Sequence, residues 1–184
     1  MSRIMELPNI PYKVSYRDVK FPRLEFRTGG LLIILPFGQK PDRLLEKHRS
    51  WILNKARFIK ECLKDTPTKK LVRRSEEEFK NLILSFVKDA SEELGKGLDR
   101  VYFRTMKTKW ASCSSKRNLT INRLMKFLPE QALEYVIFHE IVHLYEKRHN
   151  DRFWKRISKR FYNYQELEKD LFVYWFKLAS GLKR

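Results

Sequence analysis

The spacing of hydrophobic residues predicts a chain of mixed α and β structure that becomes wholly helical towards its end. Residues 12–37 are rich in Val, Phe, Ile and Leu and are interrupted by Gly29 and Gly30, which predicts two strands joined by a tight turn. In residues 41–59, apolar side chains recur at steps of three and four, which is the spacing of an amphipathic helix. The Asp-Thr-Pro-Thr segment at 65–68 then interrupts regular structure.

A second helix is predicted by the residues at its two ends. Ser75 is followed three residues later by Glu78, the arrangement of a capping box, in which each side chain binds the backbone N–H of the other residue. Gly95 and Gly97 follow Leu94 and favour the end of a helix there. We therefore expect a helix from about residue 75 to residue 94.

The next region predicts a small sheet followed by further helices. Residues 101–108 and 118–122 have the composition of strands, and the polar segment 110–117 between them is predicted to be a connection. Pro129 favours the start of a third helix. From residue 151 onward, aromatic residues recur at helical steps, which predicts a helical end of the chain whose aromatic side chains lie in the core.

Three of the four histidines in the chain lie in or just after the third helix. His139, Glu140 and His143 form an H-E-x-x-H motif, and on a helix the two histidines lie only about 40° apart around the axis and about one turn apart along it. Both imidazoles then point away from an apolar stripe at positions 133, 137, 141 and 144. Two nitrogens at about 2.0–2.1 Å from one zinc ion are feasible in this arrangement. Glu140 lies between the two faces, where it can reach a water bound to the metal.

His149 determines whether this site has a third ligand. On a continuous helix it would lie about 15 Å beyond His139 and be rotated by roughly 280° around the axis. It can share the metal only if the helix ends soon after Tyr145 and the chain folds back. Asn150 and Asp151 favour such a turn and the N-cap of a following helix.

The spacing of the three histidines equals that of the metzincin motif, but the chain lacks two other metzincin features. Glu146 occupies the glycine position of that motif, and no methionine follows Met125 to form a Met-turn. We therefore predict three-histidine ligation without metzincin membership.

These residues predict a zinc hydrolase. Three neutral imidazoles leave zinc its full charge and one open position for water, whose pKa then falls towards ~7. Glu140 can take the proton of that water and pass it to the leaving group. His139, His143 and His149 are the predicted metal ligands, and Glu140 is the predicted general base and acid. A chance match of the motif is disfavoured by the third histidine and the amphipathic context, and His48 is predicted to be an ordinary helix-face residue.

Charge and cysteine content restrict the partners and the compartment. The chain has 40 Lys and Arg against 22 Asp and Glu, a formal net charge of +18, which predicts attraction to anionic substrates and weak nucleic-acid binding. Two cysteines, Cys62 and Cys113, exclude a disulfide-dense scaffold and fit a reducing compartment. Without an apolar run of ~18 residues or a secretory signal, we expect a cytoplasmic protein that does not bind membranes. A nucleophilic Cys113 is disfavoured because the histidines already have a consistent metal role.

Four sequence blocks follow one another across more than half of the chain. They are Trp51-Ile52 with Lys55, the segment KTKWASCS at 107–114, Ile121-Asn122 with Pro129, and YVIFHEIVH at 135–143 with His149 and Phe153-Trp154. In order and spacing they resemble the YgjP-like metallopeptidase-domain family, a zincin group related to the SprT-like proteins. Lys109, Ala111 and Arg123 stand where the family has arginine, glycine and often an aromatic residue, which weakens a transfer of substrate specificity.

The resemblance implies an α+β, zincin-like fold with a small β-sheet beside the H-E-x-x-H helix, an N-terminal β-hairpin part and a helical C-terminus. We expect a hairpin and helix subregion at 1–66 and a metal-binding catalytic region at 67–184, together forming one compact unit. The family implies metal-dependent hydrolysis and peptidase activity. Two other functions stay open, a metal-dependent nucleoside-triphosphate (UTP) pyrophosphohydrolase and a non-enzymatic nucleic-acid-binding module with structural zinc. Trp110 and Asn122 are predicted either to line the cleft or to have packing and turn roles; the residues that bind substrate and the oligomeric state are not predicted.

Overall fold

The computed structural model describes residues 10–27, 30–64 and 68–181 of the 184-residue chain. The chain divides into two compact units, one formed by Met1–Thr66 with Phe176–Arg184 and the other by Pro67–Trp175. Within the described residues, no helix has both the length and the apolar character needed to cross a membrane. The functional division at 1–66 and 67–184 stays a prediction.

The described residues of the first unit form three strands, whereas the sequence predicted two. The strands β1 (Tyr12–Tyr16), β2 (Arg23–Arg27) and β3 (Gly30–Leu35) form a sheet of order β1-β3-β2, in which β1 is parallel and β2 antiparallel to β3. A mostly exposed segment at 17–22 separates β1 from β2. The prediction was wrong because the parallel pairing of β1 with β3 is a long-range contact that local composition does not specify.

Gly30 is required where β3 begins, although the predicted turn residue Gly29 lies outside the described residues. Gly30 has a φ of +140°, and a Cβ atom at this position would lie 2.2 Å from the carbonyl oxygen of Pro11. Leu31 N–H donates to the same carbonyl oxygen at 2.9 Å. Only glycine therefore permits this close approach of the two strands.

The helical pattern at 41–59 forms two helices instead of one. The helices α1 (Asp42–Lys47) and α2 (Arg49–Lys64) are interrupted at His48, whose φ and ψ of −109° and 16° are not helical. His48, which was predicted to be an ordinary helix-face residue, is half-buried and lies at the end of α1. The core of this unit is formed by one face of β3 and by residues of the two helices, namely Leu31, Ile33, Leu35, Leu45 and Ile52.

The second unit begins with the helix whose ends were predicted. The helix α3 (Glu76–Leu94) has Ser75 as its N-cap, and both hydrogen bonds of the capping box with Glu78 are present. Gly95 ends the helix in the left-handed conformation, with a φ of 62°. An N-cap side chain such as that of Ser75 stabilises a helix by about 1 kcal/mol.

The sheet of the second unit has a third strand that the sequence did not predict. The strands β4 (Arg100–Arg104), β5 (Ala111–Cys113) and β6 (Asn118–Asn122) are ordered β4-β6-β5, with β4 parallel and β5 antiparallel to β6. β5 lies in the segment 110–117, which was predicted to be a polar connection. That prediction was wrong because three residues of small or polar type are too few to show the alternation of a strand.

The H-E-x-x-H helix, α4 (Glu130–Val142), begins after Pro129 as predicted and packs against α3, β5 and the next helix. Leu133, Ile137 and Ile141 of the predicted apolar stripe are completely buried. Two further helices follow, α5 (Asp151–Arg160) and α6 (Tyr164–Gly181). The α+β class, with a small sheet beside the H-E-x-x-H helix, is thereby confirmed.

The aromatic residues of the last two helices only partly follow the prediction that they form the core. Phe153, Phe161 and Tyr174 are buried, whereas Tyr162 is 90% exposed. Tyr162 lies in the turn between α5 and α6, where its side chain has no helix face to cover it.

Asn122 has a structural role in this unit. Its side chain is completely buried. Its Nδ2 atom donates to the carbonyl oxygens of Met106 and Lys109 at 2.9 and 2.8 Å, and its Oδ1 atom accepts from the N–H groups of Met106 and Leu124. Of the two roles predicted for Asn122, the turn role is the one that these contacts support, since all of them hold the backbone before β5 and after β6.

We expect Asn122→Ala to destabilise the protein by about 2–3 kcal/mol, because it leaves buried backbone donors and acceptors without partners. The measurement is the midpoint of urea denaturation. Asn54→Ala, on an exposed position of α2, is the matched control and should change stability by less than about 0.5 kcal/mol. Equal effects of the two substitutions would contradict the structural role.

Candidate metal centre

The chain folds back after α4, as the position of His149 required. α4 ends at Val142, and Asn150 caps α5 by accepting the N–H of Phe153 at 2.9 Å. Glu146 stands at the position of the metzincin glycine and does not adopt a positive φ. Its carboxylate instead accepts from Asn150 Nδ2 at 3.1 Å. A side-chain hydrogen bond thus closes a turn that metzincins make with glycine.

This turn brings the three predicted histidines together. The Nε2 atom of His149 lies 3.0 Å from Nε2 of His139 and 3.1 Å from Nε2 of His143. The possible ligand atoms of the three residues all lie within 4.8 Å of one another. His139 and His143 are partly buried and His149 is exposed, so the cluster opens to solvent on the His149 side.

The remaining contacts of His139 and His143 determine which ring nitrogen carries the proton. Nδ1 of His143 lies 3.0 Å from the carbonyl oxygen of Glu146, which can only accept. Nδ1 of His139 lies 3.4 Å from the hydroxyl of Tyr135 and 3.5 Å from the carboxylate of Glu168. The Tyr135 hydroxyl donates its own proton to Glu168 at 2.5 Å, so both oxygens near His139 act as acceptors. We therefore assign the Nδ1–H tautomer to both rings.

This assignment leaves unprotonated nitrogens facing one another, which fits a cation at their centre. With Nδ1 protonated, His139 and His143 present lone pairs at Nε2, and His149 has one Nε2 atom with which to bond both. Even a proton on that atom satisfies only one of the two close contacts. A metal ion accepts all three lone pairs, and an imidazole that donates its other N–H to a carbonyl or carboxylate is the usual form of a histidine ligand.

The local electrostatics favour neutral imidazoles. Burial, together with the nearby His143 and His149, lowers the pKa of His139 to about 3. The pKa of His149 is also lowered, mainly by burial. Both rings are therefore neutral near neutral pH, each with one N–H and one lone pair, which is the state that binds metal.

Glu140 is held beside this cluster by the edge of the sheet. Its Oε2 atom accepts the backbone N–H of Cys113 in β5 at 2.9 Å. Burial raises the pKa of Glu140, and the hydrogen bond from Cys113 opposes that shift. The structure thus supplies a partly buried carboxylate, fixed at one oxygen and near enough to His143 for that residue to lower its pKa.

Phe153 supports the cluster from the side of α5. Its buried ring lies 4.8 Å from the rings of His139 and His143 and 4.6 Å from the ring of His149, measured between centroids. Trp154 stacks on Tyr164 and lies 5.4 Å from His149. These aromatic rings restrict the rotation of the imidazoles, so the histidines are preorganised.

Other residues that the sequence singled out do not join the cluster. Burial and the charge of Glu140 raise the pKa of the Cys113 thiol to about 11, so it stays protonated and is a poor nucleophile. The Trp110 indole N–H donates to the carbonyl of Leu171, and its ring packs against Trp175, which indicates a packing role.

Three groups near the histidines were missed by the sequence analysis. They are the carboxylate of Glu168, the hydroxyl of Tyr135 and the backbone N–H of Cys113. Tyr135 lies one helical turn before His139, and this spacing is a signal that could have found it. Neither Glu168 nor the N–H of Cys113 has a local signal, because tertiary structure alone brings them near α4.

The family of this chain follows from a comparison with models of known families. The model described as "YgjP-like, metallopeptidase domain" matches residues 58–173, which is more than half of the chain. The chain belongs to the YgjP-like metallopeptidase family. The resemblance noted from the sequence blocks is thereby confirmed, although the Trp51 block precedes the matched residues. Membership makes the chain a metal-dependent hydrolase and implies a divalent metal.

Solved structures and curated proteins add two findings. The metallopeptidase zymogen of Pyrococcus abyssi abylysin is 25% identical, with a TM-score of 0.45, over 48% of this chain and 90% of that one. The zymogen of Methanocaldococcus jannaschii jannalysin is 24% identical, with a TM-score of 0.44, over 54% of this chain and 96% of that one. Comparison with the curated proteins finds none that matches this YgjP-like chain.

Proposed function

We propose that this YgjP-like protein is a zinc-dependent peptidase in which His139, His143 and His149 bind the metal through Nε2. The observation that carries the proposal is the convergence of three Nε2 atoms at 3.0 and 3.1 Å, on rings whose protons lie at Nδ1. Zinc fits this donor set better than magnesium or calcium, because imidazole nitrogen is a borderline ligand and the latter two prefer oxygen. Bound zinc would act as a Lewis acid that polarises a carbonyl group and makes water acidic.

Glu140 is the general base of the proposed reaction. Cys113 N–H holds Oε2, so Oε1 is the atom that takes a proton from the attacking water and later delivers it to the leaving peptide nitrogen. The raised pKa of Glu140 suits this double role, because a carboxylate of ordinary acidity would return the proton less readily. Burial raises the pKa of Glu140, and the hydrogen bond from Cys113 opposes that shift.

The outer edge of β5 supports a peptide as the substrate. Asn122 N–H donates to Trp110 O, and Ser114 N–H donates to Asn118 O. In an antiparallel ladder the alternate residues point the other way, so the N–H and C=O groups of Cys113 face away from β6. The N–H group holds Glu140, and the C=O group of the same residue lies on the same edge, where it can accept an N–H of an extended peptide.

The second candidate function is hydrolysis of a nucleoside triphosphate, and one charge favours it. The positive charge of Lys109 lowers the pKa of Glu140, so a cation acts on the proposed catalytic carboxylate. Cations near a catalytic centre balance the charge of phosphate groups. The formal net charge of +18 would also attract the phosphate groups of nucleic acids. Nucleic-acid binding is a separate property, which a binding assay at several salt concentrations measures.

The proposed function predicts near-stoichiometric zinc and zinc-dependent cleavage of a denatured protein. Metal content of the purified protein is measured first, and hydrolysis is then assayed with denatured protein and with nucleoside triphosphates, before and after removal of metal by a chelator. Cleavage of protein that is lost with chelator and restored by zinc supports the peptidase. Hydrolysis of nucleotides alone would favour the second candidate, and protein without bound zinc would overturn both.

A further inference from the structure

Beyond the three histidines, we propose that Glu168 and Tyr135 form a positioning pair that fixes the ring of His139 for metal binding. This inference rests on the proposed metal-binding function and adds α6 to the elements that build the centre. Tyr135 lies one turn before His139 on α4, and Glu168 lies on α6. Neither residue belongs to the H-E-x-x-H motif or to the cluster of three histidines.

The contacts of Tyr135 carry the first step. Its side chain is completely buried, and its hydroxyl donates to Oε1 of Glu168 at 2.5 Å. A hydroxyl–carboxylate hydrogen bond of this length is charge-assisted and therefore strong. The proton of Tyr135 is thus committed to Glu168, and the hydroxyl oxygen can only accept from its other neighbour.

That neighbour is the Nδ1 atom of His139. It lies 3.4 Å from the Tyr135 oxygen and 3.5 Å from the same Oε1 atom of Glu168. Two acceptors around one ring nitrogen favour the tautomer in which that nitrogen carries the proton. The Nε2 atom of His139 is then left with a lone pair that faces Nε2 of His149 at 3.0 Å.

The Nδ1 partner of His143 differs in kind from those of His139. His143 is fixed by the backbone carbonyl of Glu146 within its own turn, so its orientation follows from local geometry. The oxygens near Nδ1 of His139 belong to side chains instead, the hydroxyl of Tyr135 on α4 and the carboxylate of Glu168 on α6. The orientation of His139 therefore depends on a residue from another element, which local geometry does not supply.

Glu168 is suited to this role because its Oε1 atom contacts both Tyr135 and His139, while its side chain is still 44% exposed. Removal of a partner that orients a histidine ligand typically lowers metal affinity by about 10- to 100-fold. This is the effect that we expect from Glu168→Gln and from Tyr135→Phe.

The test measures the zinc dissociation constant by competition with a chelator for the wild type, Glu168→Gln, Tyr135→Phe and the double variant. Glu166→Gln, an exposed glutamate on the same helix, is the matched control and should bind zinc like the wild type. If the two residues act as one unit, the double variant loses no more affinity than the weaker-binding single variant. Losses that multiply in the double variant, or affinities within about twofold of the wild type, would overturn the pair.

A second readout uses the metal-free protein and is independent of catalysis. In protein labelled with ¹⁵N-histidine, the ring of His139 should be mainly the Nδ1–H tautomer in the wild type and in Glu166→Gln. The fraction of the Nε2–H tautomer should rise in Glu168→Gln and Tyr135→Phe, measured at a temperature at which both variants are fully folded. Unchanged tautomers in both variants would overturn the proposal even if zinc binds, whereas a wild type without zinc affinity would overturn the proposed function instead.

Discussion

Glu140→Gln is expected to keep the bound metal and to lower the rate of peptide hydrolysis by about 10²- to 10⁴-fold. This is the contribution of a positioned general acid–base group. The substitution is nearly isosteric, and the amide oxygen of glutamine can still accept the N–H of Cys113 that now holds Glu140 at 2.9 Å. The fold and the three histidines are therefore preserved while the proton acceptor is lost. The measurement is kcat/KM on denatured protein, with metal content determined on the same sample.

Glu130→Gln is the matched control for this experiment. Glu130 lies in the first turn of the same helix, and its side chain is 67% exposed. It should leave both the metal content and the rate unchanged. Retained activity in Glu140→Gln would contradict the role of the carboxylate as base. Loss of metal in this variant would instead indicate that Glu140 is itself a ligand.

His149→Ala is expected to weaken zinc binding by more than about 100-fold, because loss of a ligand costs more than loss of a group that only orients one. Zinc at about 1,000 times its dissociation constant should stabilise the wild type by about 4 kcal/mol, and most of this stabilisation should disappear in the variant. The measurement is the denaturation midpoint with and without zinc. In metal-free protein the substitution should be neutral or stabilising, since it removes the contacts of Nε2 with two other unprotonated nitrogens at 3.0 and 3.1 Å.

His48→Ala provides the comparison for the loss of an imidazole as such. His48 lies between α1 and α2 in the first unit and is outside the histidine cluster. Its substitution should leave the zinc-induced shift in midpoint unchanged. An equal zinc-induced shift in His149→Ala and the wild type would contradict a three-histidine site.

Features that depend on residues close in sequence were predicted well. Ser75 and Glu78 are three residues apart, and Gly95 follows the last turn, so the chemistry that begins and ends α3 is local. The same holds for the cap at Asn150. His139 and His143 are one turn apart on α4, and their approach follows from helix geometry. Whether they bind metal stays a proposal for experiment.

Features that depend on distant pairing were not predictable in this way. β5 has three residues, and it is a strand only because β6 lies beside it. β1 pairs with β3 rather than with its neighbour in sequence. In both cases the periodicity of side chains does not contain the position of the partner strand. The break between α1 and α2 at His48 is different, because it is a local change of backbone angles that the spacing of apolar residues does not show.

The sequence by itself determined the family, the identities of the three histidines and the end signals that turn the chain between His143 and His149. Only the tertiary structure decided what surrounds these imidazoles. Glu168 comes from α6 and Cys113 N–H from β5, and both meet α4 across the packed core of the second unit. The physical reason is that ligand spacing is a property of one helix and one turn. Proton placement and orientation, in contrast, depend on hydrogen-bond partners that are distant in the chain and near only after folding.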